Sequence, residues 1–183
     1  MSKVCVFLAD GFEEIEGLTV VDILRRAGIE TETVSVMGRK EIVGAHGIKV
    51  EADTVFEEAE ADKADMLALP GGMPGTLNLK ACDGLTELLK SFDRDRKYIA
   101  AICAAPWILA ELGILKGRKA CSYPSFEEKL DGAAVVREPV VTDGHITTGR
   151  GMGTAVPFAL RLTALLAGET KAEEIRESIV YGE

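Results

Sequence analysis

Continuous apolar runs and amphipathic stretches alternate along most of this chain. Residues 3–8 (KVCVFL) form an apolar run closed by Ala9-Asp10-Gly11, which predicts a buried strand. Leu18, Val21 and Leu24 then recur at helical spacing. That helix stops at Arg25-Arg26-Ala27-Gly28, basic in its last turn and with glycine at its end. Residues 29–36 read as the next strand, and 38–50 as a small hairpin turning at Gly44-Ala45-His46-Gly47. A short strand over 66–69 runs into Pro70-Gly71-Gly72, and a helix carrying Leu85, Leu88, Leu89 and Phe92 follows. Strand 98–102 leads directly into Cys103 and a helix over 104–112, with Pro106 tolerated in its first turn. A strand at 119–122 comes next, then a hairpin over 135–148 turning at Asp143-Gly144. Thr154 N-caps a long apolar helix through Ala167, and a short amphipathic helix over 171–180 closes the chain.

Strand–helix alternation of this kind predicts an α/β fold, a mainly parallel sheet with helices on both faces. The 183 residues suit one domain, 1–183, with no repeat, linker or low-complexity tract. In such sheets ligands bind beyond the carboxyl ends of the strands. That rule directs attention to three junctions, 10–16, 69–75 and 102–106.

Charge and composition narrow the function. A net charge of −9 argues against nucleic-acid binding, which needs a basic surface to displace counterions. No segment approaches the roughly 20 apolar residues that span a bilayer. The first apolar run is too short for a signal peptide, so a cytoplasmic protein is expected. The four cysteines, Cys5, Cys82, Cys103 and Cys121, form no C-x-x-C pair, and His46 and His145 show no ligand spacing. Free thiols and no metal site are the expectation.

Cys103 stands apart from the other three cysteines. An apolar strand stops and a helix starts with almost no loop between them, and Ala104 and Ala105 supply the small flanks a tight turn requires. The layout resembles a nucleophile elbow, which pushes one side chain out over the sheet edge. A helix N-terminus behind the sulfur predicts a thiol pKa below the usual ~8.5. The bland reading, a small core residue, suffices for Cys5, Cys82 and Cys121.

Two further segments meet the same edge. In Pro70-Gly71-Gly72, bare backbone can approach a ligand, and an N–H near Gly72 with one from Ala104 would bind an oxyanion or a sulfur oxide. Glu13, Glu14 and Glu16 open the first helix, and one of them turned inward onto the thiol would need to hold a proton, which burial favours. Spacing does not say which. Gly149-Arg150-Gly151-Met152-Gly153-Thr154 is neither G-x-G-x-x-G nor a Walker A loop. It reads as a tight helix entry in which Arg150 can face solvent or meet an anionic group.

Taken in order, Leu8 through Glu16, Leu69-Pro70-Gly71-Gly72, Ala100 through Pro106 and Arg150 through Thr154 resemble the DJ-1/PfpI superfamily, most closely its DJ-1/YajL (ThiJ-like) branch. The resemblance implies a flavodoxin-like three-layer sandwich and a homodimer, with no cofactor. It implies that Cys103 is a readily oxidised nucleophile and that Glu16 is the protonated acid hydrogen-bonded to it. Gly72 and Ala104 match the oxyanion positions. Activities implied are glyoxalase or deglycase chemistry on a small aldehyde or glycated substrate such as methylglyoxal. Redox sensing or holdase chaperoning through Cys103 oxidation is the non-catalytic alternative. Two departures stand out. Protease-like branches carry histidine directly after the cysteine, where this chain has Ala104, which argues against a cysteine peptidase. The family's His-Pro segment is here Tyr123-Pro124, which leaves Tyr123, with Arg150, as a substrate contact and gives no imidazole base. Both chain histidines are expected to be solvated.

Overall fold

The computed structural model describes residues 2–182. The elements run β1 (Lys3–Leu8), α1 (Glu14–Arg26), β2 (Glu30–Ser35), β3 (Glu41–Val43), β4 (Lys49–Glu51), β5 (Thr54–Val55), β6 (Met66–Leu69), α2 (Gly75–Lys80), α3 (Asp83–Arg94) and β7 (Tyr98–Ile102). They continue with α4 (Pro106–Glu111), β8 (Lys119–Ala120), β9 (Ala134–Val135), β10 (Val140–Asp143), β11 (Ile146–Gly149), α5 (Ala155–Ala167) and α6 (Glu169–Ser178). Seven strands form one sheet in the order β10-β11-β7-β6-β1-β2-β5. Every pairing in it is parallel except β10 with β11.

Strand pleating divides the core into two. Cys5 and Phe7 of β1, Leu67 and Leu69 of β6, and Ile99 and Ala101 of β7 face Leu79 of α2, Leu85 and Leu89 of α3, and Ile108 of α4. The alternate residues Val6, Leu8, Ala68, Ala100 and Ile102 face Val20 and Leu24 of α1, Phe158 of α5 and Ile175 of α6. Because both faces are covered, the central strands read as unbroken apolar runs. This is the expected flavodoxin-like three-layer sandwich. Among the described residues, no helix is long and apolar enough to cross a membrane.

Four local expectations are corrected. The helix expected after Pro70-Gly71-Gly72 is preceded by a separate short one, α2, which packs Leu79 into the core, and Cys82 sits at the N-cap of α3. Residues 119–122 contribute only β8, which pairs with β9 in a separate two-stranded sheet, while Cys121 reaches β11 through the Thr148 hydroxyl. The late hairpin starts at Val140, and its turn residues are Gly144 and His145, since Asp143 still pairs with Ile146. The helix after Cys103 begins at Pro106, not at 104.

The register brings three strand ends level. Leu69 pairs with Ala101 and Gly149 pairs with Ile102, so 70–72, 103–105 and 150–154 emerge at one edge. The β3–β4 hairpin folds onto the same end. Gly11 donates to the Val43 carbonyl at 2.8 Å, Ala45 to the Phe12 carbonyl at 2.8 Å, and Val43 to Asp10 Oδ1 at 3.0 Å.

Candidate active site

The backbone at Cys103 is left-handed, with φ of 66°. A non-glycine residue in that region costs on the order of 1–2 kcal/mol, so surrounding bonds must hold it. They come from three segments. Cys103 N–H donates to the Gly149 carbonyl at 2.9 Å, Tyr123 N–H donates to the Cys103 carbonyl at 2.8 Å, and Ala105 N–H donates to the Ile102 carbonyl at 3.1 Å. This is the elbow expected from sequence, and it leaves the thiol half-buried at the sheet edge.

Gly71 and Gly72 pass directly over the sulfur. A Cβ on Gly71 would lie 2.6 Å from Cys103 Cβ and 2.8 Å from Glu16 Oε2. Gly72 has φ of +91°, and a Cβ there would meet Glu13 N at 2.3 Å. Only glycine permits both approaches. The backbone amides of Gly72 and Ala104 act on the Cys103 sulfur in the direction that favours its ionised form.

The three acids part company. Glu13 caps α1, its Oε2 accepting from Glu16 N–H at 2.7 Å. Glu14 is buried but committed to the hairpin, Oε1 accepting from His46 N–H at 2.7 Å and Oε2 lying 2.8 Å from His46 Nδ1. Glu16 is wholly buried and faces the thiol. Its Oε2 accepts from Gly71 N–H at 2.8 Å, while Oε1 has no conventional hydrogen-bond partner. A buried carboxyl with one oxygen unpaired is better accommodated neutral than charged.

Electrostatics correct one expectation. Burial pushes the Glu16 carboxyl up to about 7. Burial, then the charge and hydrogen bond of Glu16, push the Cys103 thiol up to about 12, against the Gly72 and Ala104 amides. A depressed thiol pKa was expected from a helix N-terminus, but α4 has only six residues and starts three positions after the sulfur. Its dipole is short and set back. The two upward shifts are not independent. The Glu16 charge that raises the thiol is absent whenever Glu16 holds its proton, so the two titrate as one unit. Around neutrality that unit moves between two protons and one.

Tyr123 and Arg150 line a cavity of about 410 Å³ beside the elbow. Tyr123 is half-exposed, and Arg150 Nη2 donates to Glu127 Oε1 at 2.9 Å. Glu127 also accepts from Arg137 Nε at 3.3 Å. Neither Glu127 nor Arg137 carries a motif that would single it out in the sequence. His46 is exposed, as expected, although bonded to Glu14. His145 is not solvated. It is 5% exposed and bonds Asp93 at 2.8 Å through Nε2, because the short turn carries it inward at the amino end of β11, opposite the thiol. Glu13, Glu14 and His46 bring three ligand-type atoms within 4.8 Å of one another. Nδ1 is already engaged by Glu14 there.

Comparison with known proteins gives a consistent family. The DJ-1/PfpI family profile matches residues 2–165. Protein DJ-1 homolog B of Arabidopsis thaliana is 39% identical over 180 residues, which is 97% of this chain and 41% of the relative. The chain therefore spans less than half the length of that protein. A protein of Thermococcus kodakarensis named a deglycase is 32% identical over 166 residues, 90% of this chain and 99% of its own. The structure of oxidized Toxoplasma gondii DJ-1 superposes with a TM-score of 0.96 at 35% identity, covering all of both chains.

Proposed function

The chain belongs to the DJ-1/PfpI family, and on that footing we propose that it is a cysteine-dependent stress-response enzyme converting α-oxoaldehydes such as methylglyoxal to hydroxy acids. One observation carries this reading. A carboxyl group brought to about 7 by burial faces a half-buried thiol on a left-handed turn. A base with that pKa suits proton transfer at neutral pH. The relative named a deglycase lends support.

The chemistry proceeds from the thiol. Cys103 Sγ attacks the aldehyde carbon as its proton passes to Glu16, and Glu16 hands that proton on to the carbonyl oxygen to give a hemithioacetal. Amides of Gly72 and Ala104 stabilise the oxyanion formed on the way. Glu16, as carboxylate, removes the proton from the former aldehyde carbon and returns it to the neighbouring carbon, while the hydroxyl proton of the hemithioacetal passes to the neighbouring oxygen. The product of that shift is a thioester of the 2-hydroxy acid. Water cleaves the thioester, releasing lactate from methylglyoxal and restoring the thiol. Apart from the water, the steps draw on Cys103, Glu16 and the Gly72 and Ala104 amides alone.

Lactate formation by the purified chain, with Cys103→Ala and Glu16→Ala as controls, tests this. Loss in both variants supports the assignment, and equal turnover by all three proteins removes it.

A second reading shares the sulfur. The half-exposed thiol faces two amide donors, and such donors also stabilise a sulfinate. On this reading the chain senses oxidants, or holds unfolded clients, through oxidation of Cys103. Pairing as a homodimer fits the exposed Ile15, Val43 and Ile48, which lie on α1, β3 and beside β4. Light scattering measures that mass directly.

A further inference from the structure

The cavity beside the elbow has an unusual charge for this chain. The protein carries −9 overall, yet the lining of this cavity includes two arginines, Arg137 and Arg150, and no carboxylate. Tyr123, Pro139, Met152 and Thr154 supply much of the remaining wall. Glu127 braces the two guanidiniums, accepting from Arg150 Nη2 at 2.9 Å and from Arg137 Nε at 3.3 Å. Among the described residues, Glu127 is the one carboxylate that either guanidinium bonds.

Donors remain as well. Arg150 bonds Glu127 through Nη2 alone. Arg137 uses only Nε toward Glu127, and its side chain is 79% exposed. Both walls are also tied to the nucleophile's backbone. Arg150 follows Gly149, whose carbonyl accepts from Cys103 N–H, and Tyr123 N–H donates to the Cys103 carbonyl. An anion seated here would be held at a fixed offset from the sulfur.

We propose that this cavity is a carboxylate subsite, and that the preferred substrates are α-oxoaldehydes with a carboxylate at the far end of the chain. This rests on the oxoaldehyde reading above. Planar guanidiniums bind carboxylates through paired, charge-assisted hydrogen bonds, and Arg137, which uses only Nε toward Glu127, keeps its exposed terminal nitrogens for one of them. Braced by Glu127, the arginines lose little freedom on binding.

The test is protection of Cys103 from iodoacetamide by keto acids that lack an aldehyde and cannot turn over. The probes are 4-oxopentanoate and 6-oxoheptanoate, each compared with its methyl ester. The subsite predicts that at least one acid protects about tenfold more tightly than its ester, and that Arg137→Gln and Arg150→Gln each reduce that ratio severalfold. Equal protection by acids and esters, or a ratio unchanged in both variants, overturns the proposal. In parallel, turnover of 4,5-dioxopentanoate is compared with that of its methyl ester. Absence of turnover for both, with the acid-selective protection intact, would count against the enzymatic reading and leave the subsite standing.

Discussion

Gly71 and Cys103 approach so closely that a β-carbon on the glycine would stand 2.6 Å from the β-carbon of the cysteine. The same added carbon would sit 2.8 Å from Glu16 Oε2 and 3.0 Å from Ala104 N. One backbone position therefore separates the nucleophile, the acid and an oxyanion donor. Gly71 also donates its N–H to Glu16 and accepts from Glu13 N–H through its carbonyl at 2.9 Å. The peptide at 71 is the strut on which the acid and the thiol are set.

Gly71→Ala is accordingly expected to act on chemistry more than on folding. Relieving the contacts costs on the order of 1–3 kcal/mol of stability. Displacing the acid from the thiol by even an ångström costs about a hundredfold in kcat/KM. Denaturant melts and methylglyoxal kinetics on the same preparation check both. Wild-type turnover in a folded variant contradicts the role given to this strut.

Burial of Glu16 also shapes stability. The folded carboxyl titrates at about 7 against an ordinary value of 4.5. Between those values the folded protein holds a proton that the unfolded chain has released. Stability from this group is complete below about 4.5 and is lost as pH rises through about 7. The loss amounts to about 3 kcal/mol. Glu16→Gln cannot ionise, so it should match wild type at pH 4.5 and exceed it by up to that amount at pH 8. Urea titrations at both values give the comparison, and a variant that tracks wild type across the window contradicts the assignment.

Much of this was legible in the sequence, and the limits have physical causes. Apolar runs at 3–8, 66–69 and 98–102 are strands because sheets covered on both faces need no polar alternation. The elbow at Cys103 was legible from strand, small residues and proline in succession. Which acid turns inward was not. Glu16 shares a helical stripe with Val20 and Ile23, but Glu14 shares one with Gly17, Val21 and Leu24, and both are buried. The choice is made by the β3–β4 hairpin, whose His46 and Ile48 amides claim Glu14. The thiol's upward shift was hidden for a similar reason. Sequence shows a helix after Cys103, whereas the folded chain adds burial and a carboxylate that outweigh it.

Oxidation should separate the four thiols. Cys5 and Cys121 are completely buried, and burial pushes the Cys5 thiol up to about 11. Cys82 is half-buried at the start of α3 and caps it with no side-chain bond. Only Cys103 combines access with two amide donors on sulfur. Mild peroxide followed by peptide mass spectrometry should find sulfinate at Cys103 well ahead of the others. Equal or earlier oxidation of Cys82 would contradict the claim that the amides matter.

Coupling between Glu16 and Cys103 is most directly read from the pH dependence of iodoacetamide labelling at Cys103, resolved by peptide, in wild type and Glu16→Gln. The shared proton predicts a wild-type rate that rises with an apparent pKa near 7, followed by a separate rise at much higher pH. In Glu16→Gln the inflection near 7 should vanish and leave one thiol titration. A single wild-type titration at the ordinary thiol value, unmoved by the substitution, would show that the two groups do not share a proton.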